Sequence, residues 1–348
     1  MKLMPNIPFP KTRYLGSKRK LIGPLYDVFQ SLEFETALDP FSGTGVVSYL
    51  LKQMGVSVVS SDTMAFNVAA AQALVVNQQE HISAEIDRLL NRVSQSNVSH
   101  GFIETTFDGL FFLPDENRFI DRYLDALQAV KGVQRDMAVY CLGQAALAKR
   151  PYNLFHRANL NMRQRDVARS FGNKTTWDTP FEALIRRFAT EVDRAVFWSD
   201  TPCRAVRSDV LEVDALDVDL VYLDPPYVSA NGKGVDYIDY YHFLEGLTEP
   251  ERWMSRVLHR YKHKPLMGKG ENPWCDPKRV SAVFRKTIER FSKAILVISY
   301  RSDGIPSIEQ LVGYLESVGK RVKTVDVGKY TYALSKNRRS KEIILVGR

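Results

Sequence analysis

Four consecutive residues, Asp224-Pro225-Pro226-Tyr227, follow the apolar run Leu220–Leu223 and could hold a planar amino group such as that of adenine. A carboxylate and a main-chain carbonyl can accept hydrogen bonds from its two N–H bonds, and consecutive prolines fix φ and donate no N–H. Asp224 and the carbonyl of Pro225 are the candidate acceptors. Tyr227 offers an aromatic face on which a base flipped out of a duplex could stack. The alternative is a rigid turn with a buried tyrosine.

A second motif, Asp39-Pro40-Phe41-Ser42-Gly43-Thr44-Gly45, lies between a predicted strand and a predicted helix, where an open parallel sheet binds ligands. It contains neither G-x-G-x-x-G nor the lysine of a phosphate loop. Its acid would repel pyrophosphate but could bind an ammonium group, and Asp62, which ends the next strand, could bind ribose hydroxyls. The pattern predicts a nucleoside that carries an amino acid, such as S-adenosylmethionine. The alternative is a glycine turn in another kind of α/β protein.

Alternating strands and helices around these motifs predict an α/β fold, with a Rossmann-like parallel sheet and an inserted, mainly helical region. Hydrophobic periodicity divides the chain into an α/β part that carries both motifs and is expected to be the catalytic domain, residues 1–80 and 205–348, and a helical insertion, residues 81–204. Strands are predicted at 36–39, 57–61, 219–223, 293–300 and 342–346, and helices at 46–54, 84–93 and 181–197. The apolar runs 220–223 and 295–298 fit strands covered on both faces.

Composition favours some classes of protein and argues against others. The 348 residues carry a net charge of +8, which suits a polyanionic partner because cations that neutralise phosphates release counterions. Cys141, Cys203 and Cys275 lie far apart, which argues against a disulfide framework and a zinc site, so no metal is predicted. No apolar run is long enough to cross a bilayer, and the first residues lack a signal-peptide pattern. We therefore expect a soluble, cytoplasmic protein.

The two motifs resemble those of the D12 (Dam-like, α-group) family of adenine-N6 DNA methyltransferases. Asp39–Gly45 is similar to the family's motif I, and Asp224–Tyr227 to its catalytic motif IV. The resemblance implies S-adenosylmethionine as cofactor, with Asp62 as the acid that binds its ribose. The segment Tyr14-Leu15-Gly16-Ser17-Lys18 is similar to the family's N-terminal motif, which implies that Tyr14 and Lys18 contact the cofactor.

Two further segments carry the resemblance. Asp209 lies fifteen residues before motif IV and is placed like the family acid that binds the cofactor's adenine amino group, although Glu212 and Asp214 lie close by. Tyr240–Glu245 looks like the family's segment that shapes the target-base pocket. The alternative for that segment is the start of an amphipathic helix with aromatic core residues.

Two basic stretches are candidate DNA contacts. In the family's order the recognition region precedes motif IV, which implies that the helical insertion 81–204 recognises the target. Within it, residues 149–165 mix cations with aromatics and amides that can bind phosphates and bases. The predicted DNA-binding residues are Lys149, Arg150, Asn153, His156, Arg157, Arg163 and Arg165, with Arg338 and Arg339 near the C terminus. The latter two lie in the segment 330–341, which is similar to the family's C-terminal hairpin. The alternative for either stretch is a solvated basic loop.

The leading hypothesis is a site-specific adenine-N6 methyltransferase of double-stranded DNA, serving as the modification enzyme of a restriction–modification system. No nuclease constellation is apparent, so any restriction endonuclease would be a separate protein. One alternative is methylation of cytosine N4, RNA or a protein amide, although such enzymes more often carry Ser or Asn at the position of Asp224. Another is a catalytically silent nucleic-acid-binding module, which the intact acids and glycines disfavour.

Overall fold

A computed structural model describes residues 8–165, 174–214, 217–267, 272–329 and 340–348. The strands are β1 (Thr36–Asp39), β2 (Ser57–Asp62), β3 (Arg204–Arg207), β4 (Leu220–Leu223), β5 (Val228–Ser229), β6 (Ile295–Arg301), β7 (Gly304–Ile305), β8 (Val322–Lys329) and β9 (Lys341–Gly347). Within the described residues one seven-stranded sheet has the order β3-β2-β1-β4-β6-β9-β8. β5 and β7 pair with each other in antiparallel orientation.

The helices alternate with these strands at both ends of the chain and dominate its middle. They are α1 (Ile22–Gln30), α2 (Val46–Gln53), α3 (Ala65–Ala71), α4 (Ser83–Gln95), α5 (Phe102–Thr106), α6 (Pro114–Leu127), α7 (Gly132–Lys149), α8 (Asn161–Gln164), α9 (Lys174–Asp178), α10 (Phe181–Ala195), α11 (Tyr237–Thr248), α12 (Pro250–Arg256), α13 (Val280–Arg290) and α14 (Ile308–Ser317). In the described ranges, no helix combines the length and apolar character needed to span a membrane.

The parallel arrangement that periodicity predicts is confirmed. β1 pairs in parallel with β2 and β4, β2 with β3, and β4 with β6, whereas β9 runs antiparallel to both β6 and β8. All four residues of β4 are buried, as expected for a central strand covered on both faces. The prediction lacked β3, because its Arg-Ala-Val-Arg sequence is short, charged at both ends and only half-buried.

The middle of the chain is helical, as predicted, and α4–α10 lie between β2 and β3 in sequence. α7 is buried on every side from Met137 to Lys149, so it is the central helix of this zone. One hydrophobic core joins it to Phe66 of α3 and to Phe243 of α11. The helical zone therefore packs on the helices of the sheet layer, and its division from the catalytic part stays a prediction.

Three cations that were predicted to contact DNA are buried instead. Lys149, Arg150 and Arg163 are 2%, 1% and 9% exposed. Lys149 Nζ lies 2.6 Å from Glu116 Oε1, and two guanidinium nitrogens of Arg163 lie 2.7 Å from the two Glu116 oxygens. Arg150 donates to the main-chain oxygens of Phe111, Leu154 and Arg157. In this structure each of the three charges is bound inside the protein and none is exposed, so their predicted contact with phosphate stays a prediction.

Glu116 holds two of these cations, so its removal tests their structural role. Burial opposes its ionisation, but Arg163 and Lys149 outweigh burial and hold the pKa of Glu116 below its ordinary value. Because a lowered pKa stabilises the folded state above the unfolded pKa, this contribution should be present at neutral pH and lost in acid. We expect Glu116→Gln to lower the free energy of unfolding by about 3 kcal/mol at pH 7, since it leaves buried cations unpaired.

Denaturant unfolding of wild type and variant at pH 7 and pH 4 measures this difference, which should narrow at the lower pH. The matched control is Asp115→Asn on the same helix, because the Asp115 side chain is 92% exposed. Equal destabilisation by the two variants would show that the buried pairs contribute nothing specific.

Candidate functional site

Three carboxylates lie at one edge of the sheet because three parallel strands end there. Asp39 and Asp62 are the last residues of β1 and β2, and Asp224 follows β4. Since β1 pairs with both β2 and β4, the three acids are neighbours. All three line one cavity of about 490 Å³. The predicted cofactor-binding residues that line it are Tyr14, Lys18, Asp39, Pro40, Phe41, Ser42, Gly43, Thr44, Asp62 and Asp209.

The glycine loop, residues 40–45, turns between β1 and α2 through two left-handed residues. Gly43 and Gly45 have φ values of 50° and 76°, a region that favours glycine. The Gly43 N–H donates to Asp62 Oδ2 at 3.0 Å, and the Gly45 N–H donates to Ser42 O at 2.7 Å. Gly45 is the N-cap of α2 and is absent from the cavity lining. Gly45 therefore shapes the loop and begins α2. Gly43, through its hydrogen bond to Asp62, links the loop after β1 to the end of β2.

Asp39 is the most enclosed of the three acids, at 1% exposure. Its Oδ2 accepts a hydrogen bond from Ser48 Oγ at 2.7 Å. Its Oδ1 and the hydroxyl of Ser42 are buried without a hydrogen-bond partner among the described residues. Burial raises the pKa of Asp39 to about 7, and the charges of Asp224 and Asp62 add to this effect. The site therefore holds unsatisfied acceptors and would favour a cationic ligand.

Asp62 is held by three donors at the end of β2. Besides Gly43, the Met64 N–H donates to its Oδ1 at 2.9 Å, and Asn67 Nδ2 donates to its Oδ2 at 3.0 Å. Burial raises the pKa of Asp62, and the bonds from Met64, Gly43 and Asn67 offset only part of this effect. Asn67 also donates to the Tyr14 hydroxyl at 3.1 Å. Asn67 thus links the acid of β2 to the N-terminal segment.

A buried ion-pair network, Lys18–Asp224–Tyr227–Glu342, lies beside the cavity. Lys18 is 3% exposed, and its Nζ lies 2.6 Å from Asp224 Oδ1, 2.7 Å from the Tyr227 hydroxyl and 3.7 Å from Glu342 Oε1. The Tyr227 hydroxyl lies 2.7 Å from Asp224 Oδ1 and 3.1 Å from Glu342 Oε1, either of which can accept its proton. Glu342 is fully buried at the start of β9. The network therefore fixes the Asp224 carboxylate through one oxygen.

The predicted catalytic motif reaches the cavity through two of its four residues, Asp224 and Pro226. Tyr227 turns its hydroxyl into the ion-pair network, and its ring packs edge-on against Tyr300 with centroids 5.2 Å apart. Pro225 does not line the cavity. Stacking of a base on Tyr227 therefore stays a prediction, whereas the Asp224 carboxylate lies where a cavity ligand would meet it.

Three stacked tyrosines hold the N-terminal segment against α11. The ring of Tyr14 lies 4.1 Å from that of Tyr241 and 5.8 Å from that of Tyr237, with interplanar angles of 14° and 3°. The Leu15 N–H donates to the Tyr241 hydroxyl at 2.6 Å. Gly16 has a φ of 81°, and a Cβ there would lie 2.3 Å from the Tyr237 hydroxyl. Only glycine fits between the segment and the helix.

Most of the segment predicted to shape a base pocket belongs to the core instead. Residues 241–244 are fully buried, so the alternative interpretation as aromatic core residues is the better description. Glu245 alone in the segment lines the cavity. Its Oε1 lies 2.6 Å from a guanidinium nitrogen of Arg207, which also lies 3.0 Å from Glu249 through a second nitrogen. A second ion-pair group thus borders the cavity on the side of β3.

Asp209 follows β3 and lies at the cavity with two of its neighbours, Ser208 and Val210. Its Oδ1 accepts a hydrogen bond from the Leu211 N–H at 2.9 Å. Glu212, the nearby alternative, also lines the cavity. Asp209 and Glu212 therefore both stay candidates for contact with a ligand.

The remaining predicted DNA residues divide by exposure. Arg157 and Arg165 are exposed, whereas Asn153 and His156 are half-buried. Asn153 has a left-handed φ of 57°, and the His156 ring lies 4.7 Å from that of Tyr240. Arg338 and Arg339, with the other residues of 330–339, lie outside the described residues. Among the predicted DNA-binding residues that the structure describes, Arg157 and Arg165 are therefore the exposed cations.

Several residues in the cavity or in the ion-pair network beside it were not anticipated. Tyr237 carries a detectable signal, because it stands four residues before Tyr241 and shares its helix face. Glu342 precedes an apolar strand, so its sequence context resembles an ordinary exposed strand end. Asn67 and Arg207 carry no local pattern, because their partners lie on other elements.

Comparison with known proteins identifies relatives over the whole chain. Residues 14–277 match the family of D12 class N6 adenine-specific DNA methyltransferases. The chain is 27% identical over 355 residues to the Type II methyltransferase M2.HphI of Haemophilus parahaemolyticus, with 99% of each protein covered. It is 21% identical over 320 residues to the Type II methyltransferase M.CviAII of Paramecium bursaria Chlorella virus 1, with 88% of each covered. It is 23% identical over 353 residues to the Modification methylase StsI of Streptococcus sanguinis, covering 95% of this chain and 51% of that protein.

The family match confirms the resemblance inferred from the motifs. It spans the N-terminal segment, the glycine loop and the Asp224 motif, and it ends before β9. The mostly parallel sheet is consistent with a fold that uses S-adenosylmethionine. The chain belongs to the D12 class of N6 adenine-specific DNA methyltransferases, and its activity is the methylation of adenine in DNA.

Proposed function

We propose that the cavity between Asp39 and Asp224 holds S-adenosylmethionine beside a target adenine of double-stranded DNA. The observation that carries this proposal is the meeting of the two motifs. Asp39 and Asp224 end neighbouring parallel strands and line the same cavity, although 185 residues separate them in sequence. A cofactor site and a site for the methyl acceptor must adjoin in this way, because the methyl group passes directly between them.

The acceptors at the glycine loop fit the amino-acid part of S-adenosylmethionine. Asp39 Oδ1 and Ser42 Oγ are buried without partners among the described residues, and both line the cavity. An ammonium group would satisfy them and would neutralise the buried carboxylate. Asp62 is the candidate for the ribose hydroxyls, and Asp209 for the adenine amino group. When bound, the cofactor supplies an electrophilic methyl group on a sulfonium.

Asp224 is the proposed acceptor for the target amino group. Lys18 and Tyr227 bind its Oδ1, so its second oxygen is the one we assign to an adenine N–H. The Pro225 carbonyl is the proposed second acceptor. Two acceptors would hold the nitrogen nearer to tetrahedral geometry and make its lone pair available. Asp224 would then accept the proton that the amino nitrogen loses once its lone pair has bonded to the methyl carbon, while the electrons of the broken carbon–sulfur bond would stay on the sulfur of the departing cofactor.

The biological setting that we propose is the modification half of a Type II restriction–modification system, with any endonuclease on a separate chain. This setting is supported by the similarity to a Type II methyltransferase, which extends over 99% of both proteins.

Replacement of Asp224 tests the assignment of the methyl-accepting site. We expect Asp224→Asn to slow methyl transfer to duplex DNA about 100- to 1000-fold, because a positioned acceptor is lost from the reacting group. The affinity for S-adenosylmethionine, measured by calorimetry, should change little. Tyr227→Phe is the companion variant, because it removes a hydroxyl that contacts Asp224 while keeping the ring. Loss of cofactor affinity in Asp224→Asn at unchanged transfer rate would contradict the assignment.

Replacement of Asp39 tests the cofactor site through pH. Since a cation binds the ionised carboxylate, the affinity of wild type for S-adenosylmethionine should rise with pH and level off above about 7, the pKa of Asp39. Asp39→Asn should bind about 10- to 100-fold more weakly, as loss of a charge-assisted hydrogen bond implies, with little dependence on pH.

The same substitution should stabilise the cofactor-free protein. A raised pKa means that ionisation of Asp39 destabilises the folded state, so stability from this group is lost as pH rises through about 7. Asp39→Asn should therefore raise the melting temperature at pH 8 more than at pH 5, whereas Asp27→Asn, at an exposed position, should not. Cofactor affinity equal to wild type would contradict the proposed contact.

Arg157 and Arg165 are the exposed cations that we propose for DNA contact in the middle of the chain. Replacing both with Gln should reduce the slope of log affinity against log salt by about 2, at roughly 0.9 per phosphate contact. The control is Arg321→Gln with Lys323→Gln. This pair removes two cations on and beside β8, the edge strand at the other end of the sheet from β3. A slope unchanged by the first pair would remove residues 157–165 from the interface.

A further inference from the structure

A second basic segment, residues 256–267, forms a short hairpin that follows α12. Val257 and Leu266 form an antiparallel bridge, and both are buried in the core of the helical zone. The Leu258 N–H donates to Pro265 O at 2.8 Å, and the Met267 N–H donates to Arg256 O at 2.7 Å. The hairpin is therefore a structured element anchored at its base, with its tip directed away from the core.

The hairpin concentrates positive charge on its exposed tip. Its cations are Arg256, Arg260, Lys262 and Lys264, accompanied by His259 and His263. No Asp or Glu occurs from residue 252 to residue 267. Residues 259–262 are exposed. Within the described parts of the chain Arg256 pairs with Glu249 at 3.5 Å, whereas Arg260 and Lys262 form no ion pair. The guanidinium of Arg260 lies 4.9 Å from the ring of Tyr261, which is 44% exposed.

Helix α11 places this hairpin beside both the cavity and the stretch 153–165, which carries the exposed residues Arg157 and Arg165. At its start, Tyr237 lines the cavity. One turn later, the carbonyl of Tyr240 accepts a hydrogen bond from the Phe155 N–H at 2.9 Å. Further on, the ring of His242 lies 5.8 Å from that of His263 in the hairpin. Arg256, at the base of the hairpin, itself lines the cavity.

We propose that the hairpin 256–267 binds the phosphate backbone of the DNA substrate next to the target adenine, through Arg260 and Lys262 at its tip. This inference rests on the proposed function, because it takes the cavity as the place where the target base enters. The exposed cations at the tip, with no acid among the residues of the hairpin itself, suit a polyanion. The position suits a backbone close to the flipped base, since the hairpin and the stretch 153–165 both contact His242 of α11 and could follow the same DNA backbone beside the cavity.

The test measures binding of a short DNA duplex that contains the recognised site, over a series of salt concentrations. Arg260→Gln with Lys262→Gln should weaken binding about ten-fold or more near 0.1 M salt and should reduce the salt slope by about 2. The Arg321→Gln, Lys323→Gln protein is the matched control, because it loses the same charge at exposed positions on and beside the edge strand β8. Calorimetric titration with S-adenosylmethionine should give wild-type affinity for both variants.

Each outcome separates the hairpin from the proposed function. Weaker binding and a smaller slope in the hairpin variant alone support the inference. Wild-type binding and slope in that variant, with a wild-type enzyme that methylates the duplex, overturn the hairpin's role and leave the proposed function intact. Equal losses in the hairpin and control variants also overturn it, because they indicate an effect of net charge. A wild-type protein that binds cofactor but leaves duplex DNA unmethylated overturns the proposed function and the inference together.

Discussion

One buried ammonium group joins the parts of the chain on which the site depends. Lys18 comes from the N-terminal segment, Asp224 from the end of β4, and Glu342 from the start of β9, and Lys18 Nζ lies within 3.7 Å of both acids. Burying one charge alone would be costly, so each member requires the others. The carboxylate that faces the cavity is thus oriented by residues more than 100 positions away on either side. Correct assembly of the sheet is therefore a condition for a correctly oriented Asp224.

Helix α11 has a comparable role on the opposite side of the cavity. Its tyrosines stack on Tyr14 and fix the N-terminal segment from which Lys18 is presented. The same helix contacts the stretch 153–165 and the hairpin 256–267. The proposed cofactor contacts, the proposed methyl-accepting site and the two basic elements therefore share one largely buried helix as their support. Such a support can keep a bound duplex in register with the reacting groups.

Sequence was informative where the chemistry is local. A strand that ends in an acid, followed by a glycine turn and a helix, predicts both the fold and the position of Asp39, because each step depends on neighbouring residues. Prediction from sequence failed where the interacting side chain is distant along the chain. Lys149 and Arg163 read as surface cations, yet Glu116, 33 and 47 residues away, draws both into the interior.

The hairpin 256–267 is the opposite case, because it is an exposed basic element that was not predicted to contact DNA. Its charge is plain in the sequence, but only the fold shows that it lies near the cavity, through Arg256 in the cavity lining and through His263 beside His242 of α11. Glu342 is similar, because nothing around it distinguishes a buried partner of Lys18 from an ordinary strand terminus. Long-range ion pairs and the placement of loops thus account for most of what periodicity and motif spacing did not predict.

The most direct measurement is to produce the protein in a bacterial host that lacks adenine methylation and to sequence the genomic DNA with detection of modified bases. We predict N6-methyladenine confined to one short sequence motif, and its loss when Asp224→Asn replaces the wild type. Unmodified DNA from cells that contain folded protein able to bind S-adenosylmethionine would contradict the assignment of duplex DNA as the substrate of this site.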